Sequence, residues 1–339
     1  MVAAVLKGPG RLAVEPVPVP EVGPDDVLVA VELCGICGSD LHFVLEGWAR
    51  PGTWQGHEWV GRVVAVGAAV ERWKVGDAVV GGPGGRCGAC EACRSGRPSL
   101  CVERDADGAV GDGGAFATYK RAKAHELLAR PEGLGARAAA LAEPLAVALH
   151  AIHQGRVERG QRVLVLGAGP IGALAIAALR TMGVDDVACA EPNEARRALA
   201  VRVGATRVLH PGALEVPSIA EPGRVVEGAV DVVLECSGKP VAMEAGLAQL
   251  VRGGTLVLVG AGLEPPRFDP NRILLNELVV TGAFNYDPDG FEQALALLAS
   301  GDLPVEDLLE PAEATLDGLL DAMRDLAEGR LAGKVLVRP

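Results

Sequence analysis

The sequence predicts an α/β chain of two domains, an irregular antiparallel β-barrel followed by a doubly wound parallel sheet. Three observations carry this expectation. The 339 residues exceed what one hydrophobic core ordinarily organises, so two cores are expected. In the first part of the chain, short Val-rich alternating runs at 27–33, 59–66 and 77–81 are punctuated by Gly and Pro and read as barrel strands. From about residue 160 the texture changes to apolar strands alternating with helices, the pattern of a sheet buried on both faces.

In order along that second part, QRVLVLG is a strand and GPIGALAIAALRTMG the helix after it. DDVACAE, a charged helix, TRVLH, DVVLECSG and GTLVLVG continue the alternation, which is expected to end near LVVTGAF. A helix, FEQALALLASG, and a closing strand within LAGKVLVRP follow. No repeat, linker tract or low-complexity segment interrupts the chain.

Composition narrows the function classes. Hydrophobic residues make up 49% and charged residues 22%, yet apolar runs such as 168–179 stop short of the roughly 20 residues a membrane span needs, so no membrane partner is expected. The start, MVAAVLKGPGRLAVEP, lacks a basic segment followed by a long apolar one and a small-residue cleavage site, which predicts a cytoplasmic location. A net charge of -12 and a pI near 5.1 oppose binding to phosphate backbones, so nucleic acid is not an expected partner. Eight cysteines without an export signal point to metal or reactive thiols in place of a disulfide framework.

Their spacing decides between these. Cys87, Cys90, Cys93 and Cys101 lie in GRCGACEACRSGRPSLC, a C-x2-C-x2-C-x7-C array. Four thiolates so close along a Gly-rich loop can surround a tetrahedral Zn2+ and leave no open position, which makes the site structural. The alternatives are four unpaired surface thiols or an iron–sulfur cluster. Unligated thiols this dense invite oxidation, and the chain shows no one-electron partner, so zinc is expected.

A second set is dispersed: Cys37 in CGICGSDLH, His57 and Glu58 in GHEWVG, and Glu143 in LAEPLAVALHA. A catalytic zinc takes about three protein ligands and keeps one position open, and Cys, His and carboxylate donors from separate segments meet that need. Singly each has a plainer reading: a small buried thiol, a satisfied histidine, an acid at the positive end of a helix.

Gly167, Gly169 and Gly172, with Ala168, Pro170 and Ile171 between them, follow a predicted strand at 162–166 and open a predicted helix, the context in which G-x-G-x-x-G signifies dinucleotide binding. The first Gly allows the tight turn, the second the approach of pyrophosphate, the third close helix–strand packing, with phosphate at the positive helix end. The next strand ends in Glu191, nineteen positions after Gly172, where a carboxylate can accept from both ribose hydroxyls and repel the extra phosphate of NADP. Arg196 and Arg197 follow and can attract that phosphate, but helix-surface arginines pair more commonly with acids or solvent. NAD is the expected cofactor.

The order GICGSDLH, GHEWVG, four-cysteine lobe, EPLAVALHA, GAGPIG and terminal GKVLV resembles the zinc-containing medium-chain dehydrogenase/reductase family of alcohol dehydrogenases over essentially the whole chain. EPLA resembles the polyol and threonine dehydrogenase branch, where a Glu stands in place of a second Cys. The resemblance implies a GroES-like barrel as catalytic domain at 1–147 and 289–339, with the structural zinc lobe at about 83–105, and a Rossmann NAD-binding domain at 148–288. It implies two zinc ions per chain. Cys37, His57 and Glu143 are the implied catalytic ligands, with Glu58 or water in the remaining place and Glu143 acting directly or through a zinc-held water.

The neighbours of Cys37 carry implied roles as well. Asp40 can accept the ring N–H of His57 and fix its tautomer, or simply cap a turn. Ser39 and His42 resemble a proton relay from the substrate oxygen toward solvent; the plainer reading of His42 is a surface histidine. The implied substrate is a small alcohol or ketone, and a homodimer or homotetramer is expected.

Two features depart from that pattern. LEGWARPGTWQ at 45–55 brings Trp48 and Trp54 beside GHE, where they either wall the substrate pocket or anchor the loop on the barrel. Cys34 makes a C-x-x-C with Cys37 outside the setting of a redox motif; Cys34, Cys189 and Cys236 read as buried thiols. Two other classes compete with the zinc dehydrogenase, a zinc-free double-bond reductase of the same fold and a non-catalytic dinucleotide-binding protein. The intact ligand and relay set argues against both.

Overall fold

A computed structural model of the chain describes residues 1–84, 86–103 and 113–339. They form two compact units. The first comprises Met1–Pro144, Asp287–Gly301 and Leu309–Pro339; the second comprises Leu145–Tyr286 and Asp302–Leu308.

In the first unit, β1 (Val2–Gly8) and β2 (Arg11–Pro16) form an antiparallel pair. The main sheet is built on β3 (Asp26–Gly35), which pairs antiparallel with β4 (Glu58–Val66). β5 (Ala78–Gly81) extends the sheet from β4, β6 (Tyr119–Lys123) pairs with β3, and β7 (Leu128–Ala129) pairs with β5. The three Val-rich runs thus lie in neighbouring strands, and their inward residues Val27, Val29, Trp59, Val63 and Val79 meet Phe116 and Leu127 in one core.

The second unit holds β8 (Arg162–Leu166), β9 (Asp186–Ala190), β10 (Arg207–Leu209), β11 (Val230–Glu235), β12 (Leu250–Leu258) and β13 (Val279–Gly282). All pair in parallel, in the order β10-β9-β8-β11-β12-β13. The order reverses between β8 and β11, and ligands of doubly wound sheets bind outside the strand ends at such a switch point.

The chain then returns to the first unit. The helix Pro288–Ser300 ends on Gly301 in the left-handed region, and β14 (Ala314–Thr315) and β15 (Leu336–Arg338) extend the main sheet, β15 antiparallel to β3. Between them the helix Leu319–Ala327 buries Leu319, Ala322, Met323 and Leu326, the i, i+3, i+4, i+7 stripe of an amphipathic helix.

Of the lobe expected at about 83–105, positions 85, 104 and 105 lie outside the described residues. Among the described residues no helix is long and apolar enough to cross a membrane.

Candidate active site

Cys37 caps the helix Gly38–Leu45, which leaves the end of β3. His57 and Glu58 enter from the start of β4. Gly56 makes that entry possible: its φ is +103, and a Cβ there would stand 2.8 Å from the Phe116 backbone N and 2.9 Å from Cys34 Sγ. Donor atoms of Cys37, His57 and Glu58 lie within 4.8 Å of one another. Glu143, in the first turn of the helix Ala142–Gln154, is buried beside this cluster but stands outside the close set.

The electrostatics are those of a site built for a cation. Burial acts to lower the His57 pKa, but the fields of Asp40, Cys37 and Glu143 raise it well above the ordinary imidazole value. Burial, with Glu58 and Asp40 adding to it, lifts Glu143 to about 8. Burial and crowding of acids penalise their negative charge, and a divalent cation among them would relieve that penalty. The Cys, His and carboxylate donor set therefore fits zinc.

Asp40 departs from the expected role. It is fully buried, and its Oδ2 accepts the Cys37 backbone N–H at 2.9 Å. Oδ1 stands 3.7 Å from His57 Nδ1, too far for a hydrogen bond, and has no other hydrogen-bond partner. Capping the helix start ties the carboxylate to the backbone, so what reaches His57 is its charge.

The sequence reading assigned no role to Lys334. Its buried Nζ donates to both Glu58 oxygens at 2.7 Å and to the Ile36 carbonyl at 3.0 Å. A lone Lys opening the apolar stretch KVLV was the available signal. Ser39 lies three residues before His42 on the helix Gly38–Leu45, so both share one face. Trp54 packs with the Ala3, Val5 and Ala117 cluster and anchors its loop. Cys34 and Cys189 are fully buried as expected, whereas Cys236 is half-buried.

The four-cysteine lobe converges independently. Cys87 Sγ lies 3.6 Å from Cys101 Sγ and 3.9 Å from Cys93 Sγ, and Cys90 Sγ lies 3.9 Å from Cys101 Sγ. A ZnS4 tetrahedron with bonds of about 2.3 Å has edges of about 3.8 Å, whereas a disulfide needs about 2.05 Å. The N–H groups of Ala89 and Cys90 donate to Cys87 Sγ at 3.4 and 3.2 Å. Backbone hydrogen bonds from Cys93 and Val102 bring the Cys90 thiol down to about 6. Cys87→Ser is expected to cut zinc from about two to about one per chain and to lower the melting temperature by several degrees, while the active-site metal stays. Metal analysis with calorimetry checks this; unchanged metal and melting would rule out the structural site.

In the second unit the glycine turn follows its assigned roles. Gly167 has φ +90, Gly169 has nothing within 4 Å of a notional Cβ, and a Cβ on Gly172 would stand 1.9 Å from the Gly167 carbonyl oxygen. Gly167 thus makes the turn and Gly172 the close packing, while the space beside Gly169 is open. Pro170 opens the helix Pro170–Thr181 after the N-cap Gly169, and Ile171 follows it.

Glu191, directly after β9, is buried and accepts from the backbone N–H groups of Ala168 at 2.7 Å and Asn193 at 2.8 Å. It ties the glycine turn to the neighbouring strand end. Arg197 donates to the carbonyls of Glu191 and Pro192 at 3.0 and 2.5 Å, whereas half-buried Arg196 donates its backbone N–H to Asn193 Oδ1. Glu235, which sequence reasoning missed, ends β11 as Glu191 follows β9, and accepts from the Ser237 hydroxyl and the backbone N–H of Ser237 and Gly238. Its signal was the acid closing DVVLE.

Residues 23–132 match the alcohol dehydrogenase GroES-like domain, and residues 170–300 match the zinc-binding dehydrogenase model. The chain is 33% identical to the sorbitol dehydrogenase of Bacillus subtilis, with 100% of this chain and 97% of that protein aligned. It is 36% identical to the L-threonine 3-dehydrogenase of Caldanaerobacter subterraneus, with 78% and 77% aligned. The solved structure of 2R,3R-butanediol dehydrogenase from Bacillus subtilis has a TM-score of 0.87 and 31% identity, covering 100% of this chain and 99% of that one. Likeness of this extent, carried by both units and by both metal-binding clusters, means that the chain belongs to the zinc-containing medium-chain alcohol dehydrogenase family.

Proposed function

We propose that the protein transfers a hydride reversibly between a secondary alcohol, polyol or amino alcohol and NAD. The observation that carries this reading is the convergence of Cys37, His57 and Glu58 beside buried Glu143, in a chain that also holds the Gly167, Gly169 and Gly172 turn. The relatives that act on sorbitol, threonine and butanediol support the substrate class. We assign catalysis to residues 1–147 and 289–339, dinucleotide binding to 148–288, and the location to the cytoplasm.

Cys37 and His57 would hold the catalytic zinc, with Glu143 as third donor directly or through water. Glu58, held on both oxygens by Lys334, would stand in reserve and leave a position open. Zinc there supplies Lewis acidity that makes an alcohol proton easier to remove near neutral pH. Ser39 takes that proton and His42 passes it on toward solvent, and NAD held at the glycine turn would supply the hydride acceptor. Screening NAD reduction against secondary alcohols, polyols and amino alcohols, alongside zinc analysis, tests the reading. A zinc-free reductase would retain about one zinc, in the lobe, and oxidise none of them.

Glu191 supports NAD over NADP. Its carboxylate has about four lone-pair sites, and two backbone donors leave room for ribose hydroxyls. Arg196 would lie near that ribose. Glu191→Ala is expected to raise the Michaelis constant for NAD about tenfold or more. Because the substitution also loosens the turn at Ala168, both cofactors weaken, and the NAD to NADP ratio isolates the lost repulsion of the 2′-phosphate. A wild type that already prefers NADP would refute the assignment.

A homodimer or homotetramer completes the proposal. β13 is an edge strand, and Leu274, Leu275, Val279 and Phe284 around it are exposed. Such an edge invites strand addition, and a second copy across a two-fold axis is self-complementary. Val279→Arg is expected to lower the oligomer mass in sedimentation equilibrium; unaltered mass would exclude this edge.

A further inference from the structure

The helix Gly38–Leu45 ends in a turn that brings Trp48 back over His42. Gly47 makes the turn: its φ is +81, and a Cβ there would stand 2.7 Å from Pro9 Cγ. The backbone N–H groups of Trp48 and Ala49 donate to the carbonyls of His42 and Phe43, both at 3.3 Å. The indole then lies flat on the imidazole, with ring centroids 4.7 Å apart and planes at 15°. On the ring's edge, Glu46 Oε2 comes within 2.9 Å of Nδ1. Nδ1 is shielded from solvent and makes no hydrogen bond, so the Glu46 carboxylate is the acceptor it faces. Trp48 remains 43% exposed and stacks on the histidine, unlike Trp54, which packs on the barrel.

We infer that Trp48 is a positioning residue that holds the His42 ring for proton transfer. The inference rests on the relay proposed above. A half-exposed imidazole turns broadly about its last side-chain bond. The stack selects the orientation with Nδ1 at Glu46 and leaves Nε2 for exchange with Ser39, which shares the helix face. In the step itself, Ser39 takes the alcohol proton and gives its own hydroxyl proton to Nε2. Nδ1, itself shielded from solvent, then passes its proton to the Glu46 carboxylate 2.9 Å away, which is 47% exposed and gives it up to water, so the ring ends neutral and the net change is one proton moved outward. Without the indole the ring samples orientations that cannot pass the proton on, and transfer slows although both relay groups remain.

Zinc-loaded Trp48→Ala, Trp48→Phe and His42→Ala are compared with wild type under saturating alcohol, in H2O and D2O, with and without added imidazole. Trp48→Ala is expected to lower kcat about five- to tenfold, with cofactor KM, zinc content and melting temperature unchanged. The solvent isotope effect on kcat should rise, and imidazole should restore the rate. Trp48→Phe keeps an aromatic face and should retain most of the activity. Independently of turnover, His42→Ala should alter the Trp48 emission, isolated as wild type minus Trp48→Phe. Wild-type kcat and isotope effect in Trp48→Ala, with His42→Ala impaired, overturn the positioning role alone. Wild-type behaviour of His42→Ala overturns the relay and this inference with it, and Trp48 emission indifferent to His42→Ala overturns the stack.

Discussion

Replacing His57 with Ala is expected to abolish alcohol oxidation while leaving NADH binding nearly intact. The imidazole is one of the donors that converge within 4.8 Å at the cluster, and the neighbouring carboxylates cannot take its place without moving. Glu58 is held by Lys334 on both oxygens at 2.7 Å, and Asp40 is held by the Cys37 backbone N–H at 2.9 Å. A centre that loses its imidazole loses either the ion or the geometry that keeps one position open. Lewis acidity of this kind contributes several kcal/mol of transition-state stabilisation, so its loss corresponds to at least about a hundredfold in rate. The dinucleotide would rest, in the function proposed above, on other residues, the 167–172 turn and Glu191, in the second unit. Zinc analysis, NADH fluorescence titration and steady-state rates together separate the outcomes. Near wild-type oxidation by His57→Ala would refute the zinc mechanism and revive a metal-free reductase. Glu143→Ala is expected to be milder, with slower turnover and looser zinc if Glu143 ligates directly, or slower turnover with zinc retained if it holds water.

Much of this arrangement was legible in the sequence where chemistry is encoded by short-range spacing. The four-cysteine lobe is such a case, because Cys87, Cys90 and Cys93 lie within seven consecutive residues and only Cys101 must fold back; their Sγ distances match a metal-sized tetrahedron. The glycine turn is another, since backbone geometry requires Gly167 and Gly172 and leaves open space at Gly169, all within six consecutive residues. The parallel, doubly wound character of the sheet also followed from the alternation of buried strands and helices, whereas its strand order did not.

What was not legible depends on contacts between distant segments. The Glu58 to Lys334 pair joins residues 276 positions apart, and nothing local distinguishes Lys334 from a solvated lysine. The choice of Asp40 between His57 and the Cys37 backbone is set by less than an ångström of separation, below what spacing can resolve. The β1–β2 hairpin escaped for a different reason. Ala3, Ala4, Val5 and Leu6 are all buried in β1, so the strand lacks the period-two alternation that marks a half-buried one.

Lys334→Met is expected to have the largest effect on stability of any change outside the donor set. Both members of the Lys334 and Glu58 pair are buried, at 1% and 0% exposure, so neither can exchange its partner for water. Burial acts to lower the Lys334 pKa, but the charges of Glu58, Cys37 and Glu143 raise it. A raised lysine value contributes stability that is complete below about pH 10 and is lost only as pH rises through the folded value. Lys334 therefore keeps its ammonium across the neutral range. Removing the ammonium leaves Glu58 uncompensated beside Cys37 and Asp40, and breaking a buried pair from one side costs about 3–5 kcal/mol. That loss corresponds to a fall in melting temperature on the order of 10 °C for a unit of this size. The freed carboxylate is also released toward the Cys37 and His57 donors, so zinc should be held more tightly and turnover should fall, because the open position is closed. The double variant Glu58→Gln with Lys334→Met removes both charges, and a cycle of the four proteins isolates their coupling. Melting curves and competition for zinc with a chelator are the measurements. If the single and double variants melt alike and exchange zinc at the wild-type rate, the pair does not restrain Glu58.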